Sequence, residues 1–238
     1  MNNSANALLA AGASPLMAHA HAEVVDAVAL ASAVVINIGT LDEYWATSML
    51  MAAEAAHKMG KPWVLDPVGA GATPFRDEVL ASLMQFQPTV IRGNASEIKA
   101  LHKAQLTATK GVDSTATSEA AVHAAQALVA QHHALICISG ATDILIDEND
   151  SYALGNGHPL MTKVTGLGCT ASALIGACLA VSENRMEATA AAMSLLAIAG
   201  ERAEQASSGP GGLQVHLLDK LYTMTEEDFC AQLKISKN

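Results

Sequence analysis

The chain has 238 residues, 51% of them hydrophobic, with a formal net charge of −10 at pH 7. That length and apolar content support a sizeable core, and no Pro- or Ser/Gly-rich linker divides them, so a single domain over 1–238 is expected. The acidity disfavours nucleic acid and anionic membranes as partners; an anionic ligand would need local cations, backbone dipoles or a metal.

Taken in order, Ser4 before an apolar run and Gly12 after it predict a short helix over 5–11. Residues 13–17 form a small-residue turn ending in Met17, and a helix is expected over 23–30. The β-branched run 33–38 reads as a strand buried on both faces, ended by Gly39-Thr40. A helix over 42–59 stops at Gly60, and a strand over 62–66 closes on Pro67. The alternation continues with a helix over 76–85, a strand over 89–92, helices over 95–102 and 119–132, and a strand over 134–139. Strands spaced by helices imply right-handed crossovers and a mainly parallel sheet with helices on both faces, an α/β fold. Segments 143–147 and 151–154 flank the polar turn Glu148-Asn149-Asp150 and predict a hairpin or meander at a sheet edge. Beyond Cys169 the chain reads as helical over 170–181, 185–207, 212–223 and 226–233.

Cys137, Cys169, Cys178 and Cys230 are scattered without a C-x-x-C, which suits free thiols in a reducing compartment. No apolar run approaches the ~20 residues of a membrane span, and the first residues lack the charged region of a signal peptide, so the cytoplasm is the expected location.

Open α/β sheets bind ligands beyond the carboxyl ends of their strands. Small and polar residues gather there: Asn37 to Thr40, Asp66 to Thr73, Arg92 to Glu97, and Ser139-Gly140. The stretch Val164 to Thr170 follows, with Gly166 and Gly168 at a loop-to-helix junction. A helix start has free N–H groups and partial positive charge, and glycine lets an anion come close, so this is a candidate phosphate cradle. Asp66 and Glu97 could hold a cation through water, as Mg²⁺ needs only one or two carboxylates plus phosphates. The plainer alternatives are a loop cap for Asp66 and a first-turn charge for Glu97. Arg92 could grip phosphate oxygens or form an ion pair with Glu97, and Arg76 is a second phosphate candidate. Cys169 stands where helix N-termini favour thiolates and could accept a proton; the alternative is a small residue that packs well. His19, His21, His132 and His133 lack a third ligand at metal spacing, and Met49, Met51 and Met59 read as core. Met17, in a turn, could line a pocket. Residues 166–171 fit G-x-G-x-x-A, but the motif comes late, after a hairpin, so a dinucleotide role is rejected.

The blocks 13–17, 37–40, 65–73, 91–97 and 164–169, in that order, resemble hydroxyethylthiazole kinases, and the resemblance extends to the Gly209-Pro210-Gly211 turn. It implies a three-layer ribokinase-like fold and a homotrimer with sites at subunit interfaces. It also implies Mg²⁺- and ATP-dependent phosphorylation of 4-methyl-5-(2-hydroxyethyl)thiazole for thiamine salvage. By match to the family motifs, Met17 and Gly166 would contact the thiazole, Arg92 and Ser139 the ATP, and Cys169 would take the catalytic position, where related sugar kinases have an Asp. Ser139 stands where the family usually has threonine. Family members also carry about one further strand and loop before the point matching Met1, so a first strand is expected to be missing. Two rival readings remain: another small-alcohol kinase of this fold, and a non-catalytic thiazole- or nucleotide-binding protein.

Overall fold

A computed structural model describes residues 2–106 and 118–237. Strands β1 (Val34–Asn37), β2 (Trp63–Asp66), β3 (Val90–Asn94) and β4 (Leu135–Ser139) pair in parallel. Strands β5 (Asp143–Ile146), β6 (Ser151–Leu154) and β7 (Ile235–Lys237) extend the sheet antiparallel, in chain order.

Parallel neighbours taken in sequence, each joined by a right-handed crossover, place all the crossover helices on one face. Those helices are α3 (Glu43–Lys58), α4 (Pro74–Met84), α5 (Ala95–Leu106) and α6 (Ser118–His132), and α2 (Val24–Leu30) packs beside α3. The other face is covered by α1 (Asn2–Ala10), α7 (Leu167–Leu179), α8 (Arg185–Gln205) and α9 (Pro210–Tyr222). Alternate strand residues feed two separate cores. Ile36, Leu65, Ile91 and Ile136 join the crossover side, while Val64, Val90, Leu135 and Cys137 join the α7 side.

The α/β alternation expected from sequence is present, with three corrections. Strand β1 is not buried on both faces: Val35 is 36% exposed, because β1 is an edge strand paired only with β2 among the described residues. Helix α1 begins at Asn2, so Ser4 lies inside it rather than capping it. Met59 caps the end of α3 in an exposed position instead of packing in the core. Gly12 does stop α1. It adopts φ +84°, and the Ala13 and Gly12 N–H groups donate to Leu8 and Leu9 carbonyls, a Schellman closure.

The sequence reading ended in a helix, and α10 (Glu226–Gln232) is there, but β7 follows it. A network centred on Glu201 of α8 fastens this end. Its Oε1 accepts from Gly157 N–H at 2.9 Å and Lys234 Nζ at 3.0 Å, and its Oε2 accepts from Asn156 Nδ2 at 3.2 Å. Asn156 in turn accepts from Lys234 N–H at 2.8 Å. Burial alone would raise the Glu201 pKa, but Gly157, Lys234 and Asn156 together hold it below the ordinary value. Its contribution to stability is therefore present at neutral pH and is lost as pH falls below 4.5 and through the lower folded value. Glu201→Ala leaves Asn156 and Gly157 short of an acceptor. A loss of about 1–3 kcal/mol is expected from urea unfolding, with faster amide exchange in β6 and β7; an unchanged midpoint would show the network to be ornamental.

Candidate active site

Strand parity decides what meets α7. Asp66 follows Val64 by two, Arg92 follows Val90, and Ser139 follows Cys137, so all three side chains emerge on the α7 side. Asn37 is the register partner of Asp66, and Asn94 that of Ser139.

Helix α7 starts directly at this edge. Gly166 is its N-cap in the left-handed region, at φ +82°, where a side chain would be strained. The first helical bond runs from Thr170 N–H to the Gly166 carbonyl at 2.9 Å. The N–H groups of Leu167, Gly168 and Cys169 therefore have no acceptor within the helix. Cys169, a free half-buried thiol, is the third residue of this turn. The helix begins three residues earlier than its apolar run suggests, since Leu167 and Gly168 already belong to the first turn.

The guanidinium of Arg92 lies against this turn. A Cβ on Gly168 would stand 2.6 Å from Arg92 Nη1 and 3.4 Å from Cζ and Nη2. Glycine is needed at 168 to admit it. Arg92 forms no ion pair with Glu97 among the described residues, and its buried Nε has no partner. Instead, both Glu97 oxygens accept backbone N–H groups: Oε1 from Gly69 at 3.0 Å and Oε2 from Asn94 at 2.8 Å. Glu97 thus ties the loop after β2 to the end of β3.

Asp66 is only 1% exposed. Its Oδ2 accepts from Asn37 Nδ2 at 2.7 Å and Ser172 Oγ at 2.8 Å, while its Oδ1 is buried without a partner. Burial pushes its pKa up; the Arg92 charge and the Ser172 and Asn37 hydrogen bonds oppose this, and the Glu97 charge adds to it. A second buried carboxylate, Asp143 at the start of β5, accepts from Gly140 N–H at 2.9 Å and shapes the turn after Ser139. Burial raises its pKa too, against the Gly140 bond and Arg92.

Arg76 is a correction. Its Nη1 donates to the Ile38 and Val68 carbonyls at 2.6 and 2.9 Å, and its Nη2 to Gly39 at 3.2 Å. The guanidinium holds two strand-end loops together and is not free for phosphate. Met17 is 57% exposed, on the segment that crosses from α1 to α2. That segment is pinned to α3 by Ser48 Oγ, which donates to the His19 carbonyl at 2.5 Å, and by His19 stacked on Trp45. Asp143 and Ser172 escaped the sequence reading, and Asn37 had been noted only as a strand end. Each is a polar residue within or bordering an apolar element, a signal that parity would have made legible. Concavities of about 280 and 420 Å³ lie elsewhere, around Trp63 and Lys61, and around Tyr44 and Phe75. Neither is lined by Asp66, Arg92 or the start of α7.

The Hydroxyethylthiazole kinase family model matches residues 1–227. The chain belongs to this family. It is 52% identical over 236 residues to a hydroxyethylthiazole kinase of Syntrophus aciditrophicus, covering 99% of this chain and 87% of that protein. A solved hydroxyethylthiazole kinase protein from Pyrococcus horikoshii OT3 superposes with a TM-score of 0.92 at 41% identity, covering 100% of this chain and 89% of that one. A ribokinase-like superfamily protein from Enterococcus faecalis shares the fold at a TM-score of 0.65 and 16% identity, over 92% of this chain and 80% of that one. The ribokinase-like α/β fold and kinase family membership expected from the sequence blocks are therefore both present.

Within a kinase of this family, the contact between Gly168 and Arg92 predicts a severe effect of Gly168→Val. The valine displaces the guanidinium and screens the N–H groups, so ATP-dependent turnover is expected to fall by about 10²–10³-fold or more. Circular dichroism should show the fold retained. A normal kcat would remove the helix start from the chemistry.

Proposed function

We propose that the protein transfers the γ-phosphoryl group of ATP to the primary hydroxyl of 4-methyl-5-(2-hydroxyethyl)thiazole, in thiamine salvage, as one kinase domain spanning the chain. The observation that carries this reading is the seating of Arg92 on the bare Cα of Gly168, beside the free N–H groups of α7. Together they bring a guanidinium and unpartnered N–H donors to one point at the carboxyl edge of the sheet. The S. aciditrophicus relative supplies the acceptor.

Phosphoryl transfer has a loose transition state with charge spread over the equatorial oxygens, so positioning and charge stabilisation dominate. The N–H groups of Gly168 and Cys169 face the migrating group. Arg92 and Ser139 hold the nucleotide. Gly166 and Met17 bound the thiazole. The residues fit a divalent cation: the partnerless Oδ1 of Asp66 is a hard oxygen donor, and Glu97 retains lone pairs for bound water. Mg²⁺, when bound, neutralises phosphate charge. Cys169 accepts the hydroxyl proton late, once the P–O bond to the acceptor is forming.

Met17 and its neighbour Leu16 are more than half exposed in one subunit. Exposed apolar side chains fit burial against a neighbouring copy, in line with the homotrimer that the family resemblance implies. No helix among the described residues is long and apolar enough to cross a membrane.

The decisive experiment measures ADP release from Mg-ATP with and without the thiazole alcohol, and identifies the phosphate ester by mass spectrometry. Turnover is expected. A raised melting temperature with both ligands but no ester would favour a binding protein instead. Because the thiol acts late, Cys169→Ala should lower kcat by about 10²-fold or less, the low end of general-base effects. A far larger loss would make the thiol essential to the chemistry.

A further inference from the structure

Ser172 stands in a helix of alanines, leucines and other apolar residues, with Ala171 and Ala173 beside it. Its side chain is fully buried. A buried hydroxyl is unfavourable unless it is bonded, and alanine would suit the helix better. Its partners explain its presence. Oγ lies 2.8 Å from Asp66 Oδ2 and 3.4 Å from the Gly168 carbonyl of its own helix, so its one proton goes to Asp66. Asn37 donates to the same oxygen at 2.7 Å, and its own Oδ1 is fixed by Gly39 N–H at 2.9 Å. Two donors from two elements therefore grip Oδ2. The other oxygen, Oδ1, is left buried and unpartnered. Arg92 is near enough for its charge to act on Asp66, yet its Nε is also buried and unpartnered. An orphaned carboxylate oxygen and an orphaned guanidinium N–H thus belong to one polar cluster, each lacking the partner that a buried polar atom normally has.

We infer that Ser172 is a positioning residue: its hydroxyl holds Asp66 by Oδ2 so that Oδ1 stays free for the divalent cation or its water. Ser172 lies one turn beyond Gly168, so the helix that presents N–H groups to the phosphoryl also sets the carboxylate. The inference rests on reading the strand-end crevice as a nucleotide–cation site.

The test is Mn²⁺ affinity, measured on the full chain by electron paramagnetic resonance of free Mn²⁺ in the presence of ADP. Ser172→Ala is expected to weaken Mn²⁺ binding and kcat by about 10-fold or more, the scale of losing a partner that orients a metal ligand. The KM for the thiazole alcohol should move by less than about 2-fold, since Asp66 does not bind the acceptor in this reading. Ser194→Ala serves as control, because Ser194 of α8 is likewise a buried helical serine but has no hydrogen-bond partner among the described residues; it should leave Mn²⁺ affinity unchanged. If Ser172→Ala does not fold, Ser172→Cys keeps a weaker donor in similar volume and should show a smaller loss. Mn²⁺ affinity equal to wild type in either folded variant overturns the inference. A wild type that binds Mn²⁺ with ADP but makes no thiazole phosphate refutes the acceptor proposed above, while the Mn²⁺ comparison still decides the role of Ser172.

Discussion

The carboxylate of Asp66 is taken almost wholly out of water at the end of β2, and an ionised group there is costly unless charge and hydrogen bonds replace its hydration. The replacements come from three directions: Asn37 from β1, Arg92 from β3, and Ser172 from α7. They depend on α7 sitting low on the sheet. Gly168, Ser172 and Gly176 recur every four residues, so they share one face of the helix. Gly168 meets Arg92, Ser172 meets Asp66, and a Cβ on Gly176 would fall 2.5 Å from Val35. The helix therefore crosses β3, β2 and β1 in turn. Four residues of helix rise about 6 Å, close to the ~4.8 Å between strands, so each small residue meets its own strand. A larger side chain at any of the three would press on the group beneath it: the Arg92 guanidinium at 168, the Asp66 carboxylate at 172 and Val35 at 176.

Much of this was legible in the sequence. Asp66, Arg92 and Ser139 stand at strand ends in the sequence, and parity brings their side chains to the same face, because residues two apart along a buried strand share a face. What escaped depends on depth rather than on local pattern. Ser172 reads as a tolerable helix residue until its hydroxyl is seen against a carboxylate from 106 positions away. Arg76 reads like Arg92, a cation after a glycine-rich loop. Only the fold separates them, because three carbonyls from the β1 and β2 ends converge on Arg76 and, among the described residues, none bonds Arg92. Glu97 likewise looked like a partner for Arg92, but two backbone N–H groups were nearer.

The same reasoning explains the errors at the sheet's two edges. The run 33–38 is as apolar as the central strands, so composition could not show that β1 has one neighbour instead of two among the described residues. At the far edge, β7 is three residues long and exposed throughout, too short for periodicity to mark it. It is held by β6 and by Lys237, which pairs with Asp150 and lies over the Tyr152 ring. Edges are decided by which segment arrives to pair, a tertiary fact.

Electrostatics sets a condition on what the crevice can accept. Among the described residues, Arg92 is the one cation whose charge acts on both buried carboxylates, Asp66 and Asp143, and Glu97 adds a further negative group beside Asp66. One guanidinium facing three carboxylates cannot by itself welcome a polyphosphate, least of all in a chain of net charge −10. The free N–H groups of α7 supply only fractional charge. A nucleotide would therefore enter most readily together with a divalent cation, whose charge offsets the carboxylates as well as the phosphates. On this view the orphaned Oδ1 of Asp66 is not a packing defect. In the function proposed above it would be the acceptor for that cation or its water, while Oδ2 is held fast by Ser172 and Asn37.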